Sequence, residues 1–261
     1  YLWEADAVLQ GDVLIDVEED FISIWRSKAL SAVKPKRRSE SIVDFDAFIL
    51  KYRHPEGELD WSSAYLQLPP VAAGNIRYVH DSPSKNRHEG SLLAMLELLD
   101  EANVSLDIVN PYFFPVKEVR SALRRAVARG VKVRVFTNSA QTLASELGIL
   151  AQKYQKSFRF FHKSTIEVWE LCSRDVMLHA KYVIVDGKTS YIGSFNFDPL
   201  GAYHNMENGV IISETSNRHP FSDLLVVELE QVQSKSRLAF KGGEQKVERF
   251  YQSNKLKHFV N

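Results

Sequence analysis

The stretch Leu178–Asn196, LHAKYVIVDGKTSYIGSFN, decides the fold and carries the chemistry of this chain. Its polar residues fall in the pattern H-x-K-x4-D-x6-G-S-x-N, threaded through two short apolar runs that read as strands. Side chains alternate faces along a strand, so His179, Lys181, Val183 and Val185 share one side. His179 and Lys181 stand at the polar beginning of that strand. An imidazole and an ammonium group therefore project together from a strand end. Gly193 lets backbone come close, while Ser194 and Asn196 point the same way and offer hydrogen bonds. Together these groups make a receptacle for a phosphoryl oxygen, with lysine as a point charge and the hydroxyl and amide as neutral donors. Asp186 falls on the opposite face, which suits a structural or orienting role better than contact with substrate. One histidine on a strand is more often structural than catalytic. A joint match at six spaced positions reverses that balance.

Strand and helix patterns alternate on either side of this stretch. IRYVH, SLDIVN, VKVRVFTN, IEVWEL, KYVIVD, SYIGSF and NGVIIS read as short strands. SLLAMLELLDEA, EVRSALRRAVARG (closed by Gly130), TLASELGILAQKY and FSDLLVVELEQVQ read as helices. The Gly-Gly of LAFKGGEQKV predicts a hairpin. Nearer the beginning, EADAVLQG over 4–11 alternates like a strand. The next segment places Val13, Val17, Phe21, Ile24 and Trp25 at helical spacing, with Asp12 as its N-cap. A basic connection over 33–41 and a second helix, IVDFDAFILKYR, follow. Pro and Gly in LQLPPVAAGN, 66–75, mark an internal boundary. The whole pattern predicts an α/β fold, a mixed sheet flanked by helices.

The composition narrows the function. An apolar fraction of 44% supplies a core, and 33 basic residues cancel 33 acidic ones, so no global field draws the chain to nucleic acid. The one cysteine, Cys172, cannot form an internal disulfide and reads as a reduced packing residue of an intracellular protein. No run reaches the ~18 apolar residues of a membrane-spanning helix, so any membrane contact is expected to be peripheral.

HAKYVIVD with GSFNFD resembles the HKD motif of the phospholipase D superfamily. DSPSK (81–85), NPYFFP (110–115), RGVKVRVFTNS (129–139), IEVWEL and HAKYVIVDG also occur in the order seen in bacterial cardiolipin synthases, the C-type in particular. The resemblance implies a phospholipase D-like mixed sheet and phosphodiester chemistry with neither metal nor cofactor. One histidine attacks phosphorus to form a phosphohistidine, and a second protonates the leaving alkoxide. By position, His179, Lys181 and Asp186 fall in the catalytic signature, and Lys181 neutralises the developing charge. Ser194, Asn196 and Glu207 bind or position the phosphate and histidine, and Tyr112 lines the approach along with Phe113 and Phe114, unless these pack in the core. Leu200-Gly201 stands where the family tends to have Arg-Ser. Asn138, at a strand end, is a further candidate for ligand contact.

Of eight histidines only His179 has a lysine two residues later. The resemblance therefore places the first HKD motif upstream of Tyr1. On that reading residues 1–74 complete the first phospholipase D-like half and the connection, and residues 75–261 form the second domain. His179 is then the general acid. The expected activity is phosphatidyl transfer between phospholipids at the cytoplasmic side of a bacterial inner membrane. Two alternatives remain open: a one-motif phosphodiesterase or nuclease that pairs two His179 sites as a homodimer, and a catalytically silent fragment.

Overall fold

In a computed structural model of the chain, the described residues are 2–26 except 6, 8 and 10, then 74–82, and 90–245 except 147, 162, 163, 172, 174, 216, 217 and 243. The basic connection over 33–41, the helix expected at IVDFDAFILKYR, nearly all of the boundary over 66–75, and Cys172 lie outside them.

A nine-stranded mixed sheet forms the middle layer. Its centre is a parallel trio: β3 (Ser105–Val109), β4 (Lys132–Asn138) and β5 (Glu167–Leu171). An antiparallel run continues from β3 through β7 (Tyr182–Val185), β8 (Thr189–Gly193) and β9 (Asn208–Ser213) to the edge strand β2 (Asn75–His80). At the other edge β10 (Ser236–Lys241) pairs with β5 and turns back as β11 (Glu244–Gln245), with Gly242 at positive φ between them. A separate two-stranded sheet joins β1 (Leu2–Trp3) in parallel to β6 (Met177–Leu178).

Alternation along the strands divides the core into two. Leu106, Ile108, Val133, Val135, Val183 and Val185 face one side. There they pack on α2 (Gly90–Glu101), α3 (Lys117–Ala128), α4 (Ala140–Glu146) and α5 (Gly148–Phe161). Val109, Phe136, Tyr182, Ile184, Ile192 and Val210 face the other side, covered by Leu225, Leu229 and Val232 of α7 (Pro220–Ser234). The basic alternation of VKVRVFTN has a structural use: Arg134 makes a bidentate pair with its cross-strand partner Asp107 at 2.6 and 2.9 Å.

Most strands and helices stand where periodicity places them. Three do not. EADAVLQG is not a strand among its described residues; the pairing lies just before it, at Leu2–Trp3, because β6 offers only two residues to pair with. The helix expected from TLASELGILAQKY is two helices, α4 and α5, with the second beginning at Gly148, a residue that favours a break. In α1 (Val13–Arg26) the inward position is taken by Asp20, while Phe21 is 50% exposed.

Candidate active site

The groups of interest converge where β3 and β4 end and the segment before β7 begins, the carboxyl edge of the parallel trio. Two buried asparagines hold the three chain segments together. Asn138 donates from Nδ2 to the carbonyls of Leu178 and Pro111 and accepts from the Leu178 N–H, so it fixes the residue just before His179. Asn110 donates to the Phe195 carbonyl and accepts from the Phe197 N–H, which ties NPYFFP to GSFNF. Asn138 is fully buried and committed to backbone, so the expected ligand contact is replaced by a positioning role.

His179 meets a carboxylate that the sequence pattern did not single out. Its Nδ1 lies 2.7 Å from Glu4 Oε1, delivered by the short β1–β6 pairing. A carboxylate on Nδ1 holds the proton there and leaves Nε2 open for chemistry. Lys181, largely buried, bonds the His179 carbonyl from Nζ at 2.6 Å and sits 3.3 Å from both Nδ1 and Nε2. A cation is thus fixed beside the imidazole ring. Tyr112 is half-buried and meets the His179 ring edge-on at 6.4 Å, whereas Phe113 and Phe114 are buried in the core. Of the aromatic trio, only Tyr112 lines the site.

GSFN is built differently from a bare phosphate cradle. A Cβ on Gly193 would lie 2.3 Å from the Asn208 carbonyl oxygen and 2.5 Å from Gly209, its cross-strand partner. The glycine serves strand packing around the buried Tyr191, whose hydroxyl donates to the Asn208 carbonyl and accepts from the Phe195 N–H. Ser194 Oγ donates to the Asn208 carbonyl and accepts from the Asn208 N–H. The Oδ1 of Asn196 is buried with no hydrogen-bond partner, an arrangement costing about 1–3 kcal/mol and typical of groups kept for a ligand. Asp198 caps α6 (Pro199–Tyr203), accepting from the N–H groups of Leu200 and Gly201. Gly201 packs its Cα side against the Asn196 carbonyl, where a Cβ would come to 2.3 Å.

Glu207 is buried in a cluster of its own. Its carboxylate accepts from Asn205, its N–H donates to Asp81, and its carbonyl accepts from the Asp81 N–H and Ser91 Oγ. Glu4, and not Glu207, is the carboxylate bonded to His179. Asp186 lies seven residues from His179, roughly 20 Å along extended chain. It adopts φ +53° ahead of Gly187 at +67°, in the two-residue turn closed by the Lys188 N–H on the Val185 carbonyl. Its carboxylate accepts from the N–H groups of Asn103, Val104 and Ser105. Burial pushes its carboxyl up, but those N–H groups and Lys188 outweigh it and hold it below the usual range. Asp186 therefore anchors the loop into β3, away from His179.

The family described as "Cardiolipin synthase, PLD-like domain" matches residues 95–232, just over half of the chain. The chain belongs to this family. Similar curated proteins include Cardiolipin synthase C of Escherichia coli (strain K12), 26% identical over 246 residues, covering 81% of this chain and 52% of that protein. Cardiolipin synthase B of Salmonella typhi is 26% identical over 163 residues, covering 56% and 38%. The chain spans about half the length, or less, of these relatives. Among solved structures, the phospholipase D family member Nuc from Salmonella typhimurium superposes with TM-score 0.52 at 21% identity, covering 63% of this chain and 97% of that one. Phosphatidylserine synthase from Haemophilus influenzae Rd KW20 gives 0.53 at 14% identity, covering 71% and 44%. At those identities the likeness is one of fold, the phospholipase D-like mixed sheet flanked by helices.

Proposed function

We propose that the chain is the second phospholipase D-like half of a phosphatidyltransferase that exchanges phosphodiester bonds between phospholipids, as in cardiolipin synthesis. The observation that carries this reading is the His179 arrangement, with Nδ1 on Glu4 and the Lys181 Nζ 3.3 Å from both ring nitrogens. A histidine of a first half attacks phosphorus. His179 passes its Nε2 proton to the leaving alkoxide as the phosphorus–oxygen bond breaks. The incoming hydroxyl then returns its proton to His179 as its oxygen displaces the phosphohistidine. Glu4 steadies the imidazolium form, and Lys181 offsets charge on the phosphoryl oxygens. Ser194 and Asn196 flank the phosphate, and Tyr112 packs beside the leaving group. Glu207 is reserved for orienting the second histidine, since the Nδ1 of His179 is already occupied.

Residues 75–261 form that second domain and residues 1–74 belong to the first half and the connection. Membrane contact is peripheral and cytoplasmic in this reading; among the described residues no helix is long and apolar enough to cross a bilayer. The test is phosphatidyl transfer from labelled phosphatidylglycerol to a second phospholipid in vesicles, with the full-length protein. His179→Ala abolishes the product if the reading holds; retained turnover in that variant overturns it. Cleavage of nucleic acid by a homodimer, with no lipid transfer, is the outcome that favours a one-motif nuclease.

A further inference from the structure

Residues 2–26 are fastened to the second domain at two places. The first is β1 on β6, which delivers Glu4 to His179. The second is α1 on the edge strand β2. Along α1 Val13 and Asp20 are buried and Val17, Ile22 and Ile24 half-buried; of these, Val13, Val17, Asp20 and Ile24 are spaced four, three and four apart, which is one helical face. Three of the four are apolar. The exception, Asp20, is only 8% exposed, although Phe21 next to it is apolar and points outward.

Both carboxylate oxygens of Asp20 are engaged by β2. Tyr78 donates its hydroxyl to Oδ2 at 3.0 Å, and His80 Nδ1 lies 2.7 Å from Oδ1, an ion-pair distance set off the line of the ring N–H. Tyr78 and His80 are two apart on the strand, and their rings stack at 5.2 Å and 12°, so one strand face offers both groups to one acid. Burial and the Asp20 carboxylate hold the Tyr78 phenol well above its ordinary range, which keeps its proton on as a donor.

A valine or leucine at position 20 would dock α1 at less desolvation cost than a buried carboxylate. What the acid adds is register. Sliding α1 by one residue shifts it ~1.5 Å and rotates it ~100°, which strips Asp20 of both partners. Glu4 and Val13 lie nine positions apart on one segment, fastened at β1 to β6 and at α1 to β2. We propose that Asp20, Tyr78 and His80 form a positioning clasp that fixes α1 on β2 and so holds Glu4 on His179 Nδ1. The three residues touch neither substrate nor reacting atoms; they act through Glu4.

The test reads the tautomer of the His179 ring by NMR in full-length protein labelled at histidine, at about pH 9 where an ordinary imidazole is neutral. It needs no substrate, so its failure is separate from a failure of the lipid-transfer reading. The parent holds His179 as the Nδ1–H tautomer. Glu4→Ala moves the ratio toward Nε2–H by about fivefold or more, the ratio that one ordinary hydrogen bond commands. Asp20→Ala and His80→Ala move it the same way, and His80→Asn, which retains a donor, restores it in part. Adding Asp20→Ala to Glu4→Ala produces no further change, because both act through one contact. The proposal is overturned if the clasp variants fold with parental melting temperature and leave the His179 ratio untouched. It is equally overturned if Glu4→Ala has no effect, or if the double variant shifts as far again. Should Asp20→Ala fail to fold, Tyr78→Phe removes a single hydroxyl and carries the same expectation at smaller amplitude.

Discussion

Substituting Asp186 separates its place in the HKD pattern from its place in the structure. The carboxylate accepts three backbone N–H bonds from the loop into β3, two of them from the exposed residues Asn103 and Val104. Charge-assisted bonds contribute about 1.5–3 kcal/mol each when buried, but water replaces much of that at exposed donors, leaving about 2 kcal/mol for the set. The φ of +53° adds about 1 kcal/mol against alanine, which resists the left-handed region, and little against asparagine, which enters it readily. Asp186→Ala is therefore expected to cost about 3 kcal/mol, and Asp186→Asn about 1 kcal/mol because an amide oxygen still accepts. At ~2–4 °C per kcal/mol for a domain of this size, the alanine variant melts about 6–12 °C lower. The depressed folded-state carboxyl also sets a sign. Its contribution is present above the unfolded value of about 3.9 and is lost as pH falls through the lower folded value, so the Asn variant loses that part of the acid sensitivity. Thermal and urea unfolding read the stability, and turnover per folded molecule in full-length protein reads the chemistry. Asp186→Asn with parental stability but a loss of several orders of magnitude in turnover would refute the structural assignment.

Other perturbations act nearer the site. Lys181→Ala is expected to lower turnover by about 10²–10³-fold with the fold retained, read by steady-state kinetics beside a circular dichroism control. Asn138→Ala strips the backbone of Leu178 and Pro111 of its buried partners. It is expected to cost about 3 kcal/mol in urea unfolding and to lower turnover as well, since it frees the residue before His179. Gly193→Ala forces the β8–β9 pair apart, because its Cβ would meet backbone at 2.3–2.5 Å; soluble, cooperatively melting protein with parental stability is the result that contradicts this.

Most strands and helices over 75–245 were legible because each is short, periodic and bounded by Gly, Pro or polar residues. Where the reading failed, a nonlocal contact decided. Phe21 continues the apolar spacing of α1, yet Asp20 faces inward because Tyr78 and His80 await it on β2, 58 positions away for Tyr78. Glu4 carries no local signal at all: its meaning comes from a two-residue parallel pairing that brings it 175 positions along the chain to His179. The constellation around His179 and Lys181 was visible as spacing; the expected place of Asp186 on the opposite strand face was not met, since it stands at positive φ in the turn after β7. Ser194 and Gly193 were visible as residues but not in their use, since their contacts are with Asn208 and Tyr191 across the sheet. Asn110 and Asn138 stand at strand ends like many ligand-binding residues, and only their burial against backbone carbonyls reveals the clamp.

In the proposed mechanism His179 donates a proton to the leaving group in a site completed by a second histidine. The measurement that tests it most directly compares two substrates in a His179→Asn variant of the full-length protein: phosphatidylglycerol, whose alkoxide must be protonated to leave, and phosphatidyl-p-nitrophenol, whose leaving group needs no proton. Rapid quench should show the natural substrate inert while the activated ester still gives a burst of p-nitrophenol and a covalent phosphatidyl-enzyme on another histidine. Loss of both reactions, with the parental intermediate mapping to His179 itself, would contradict the account.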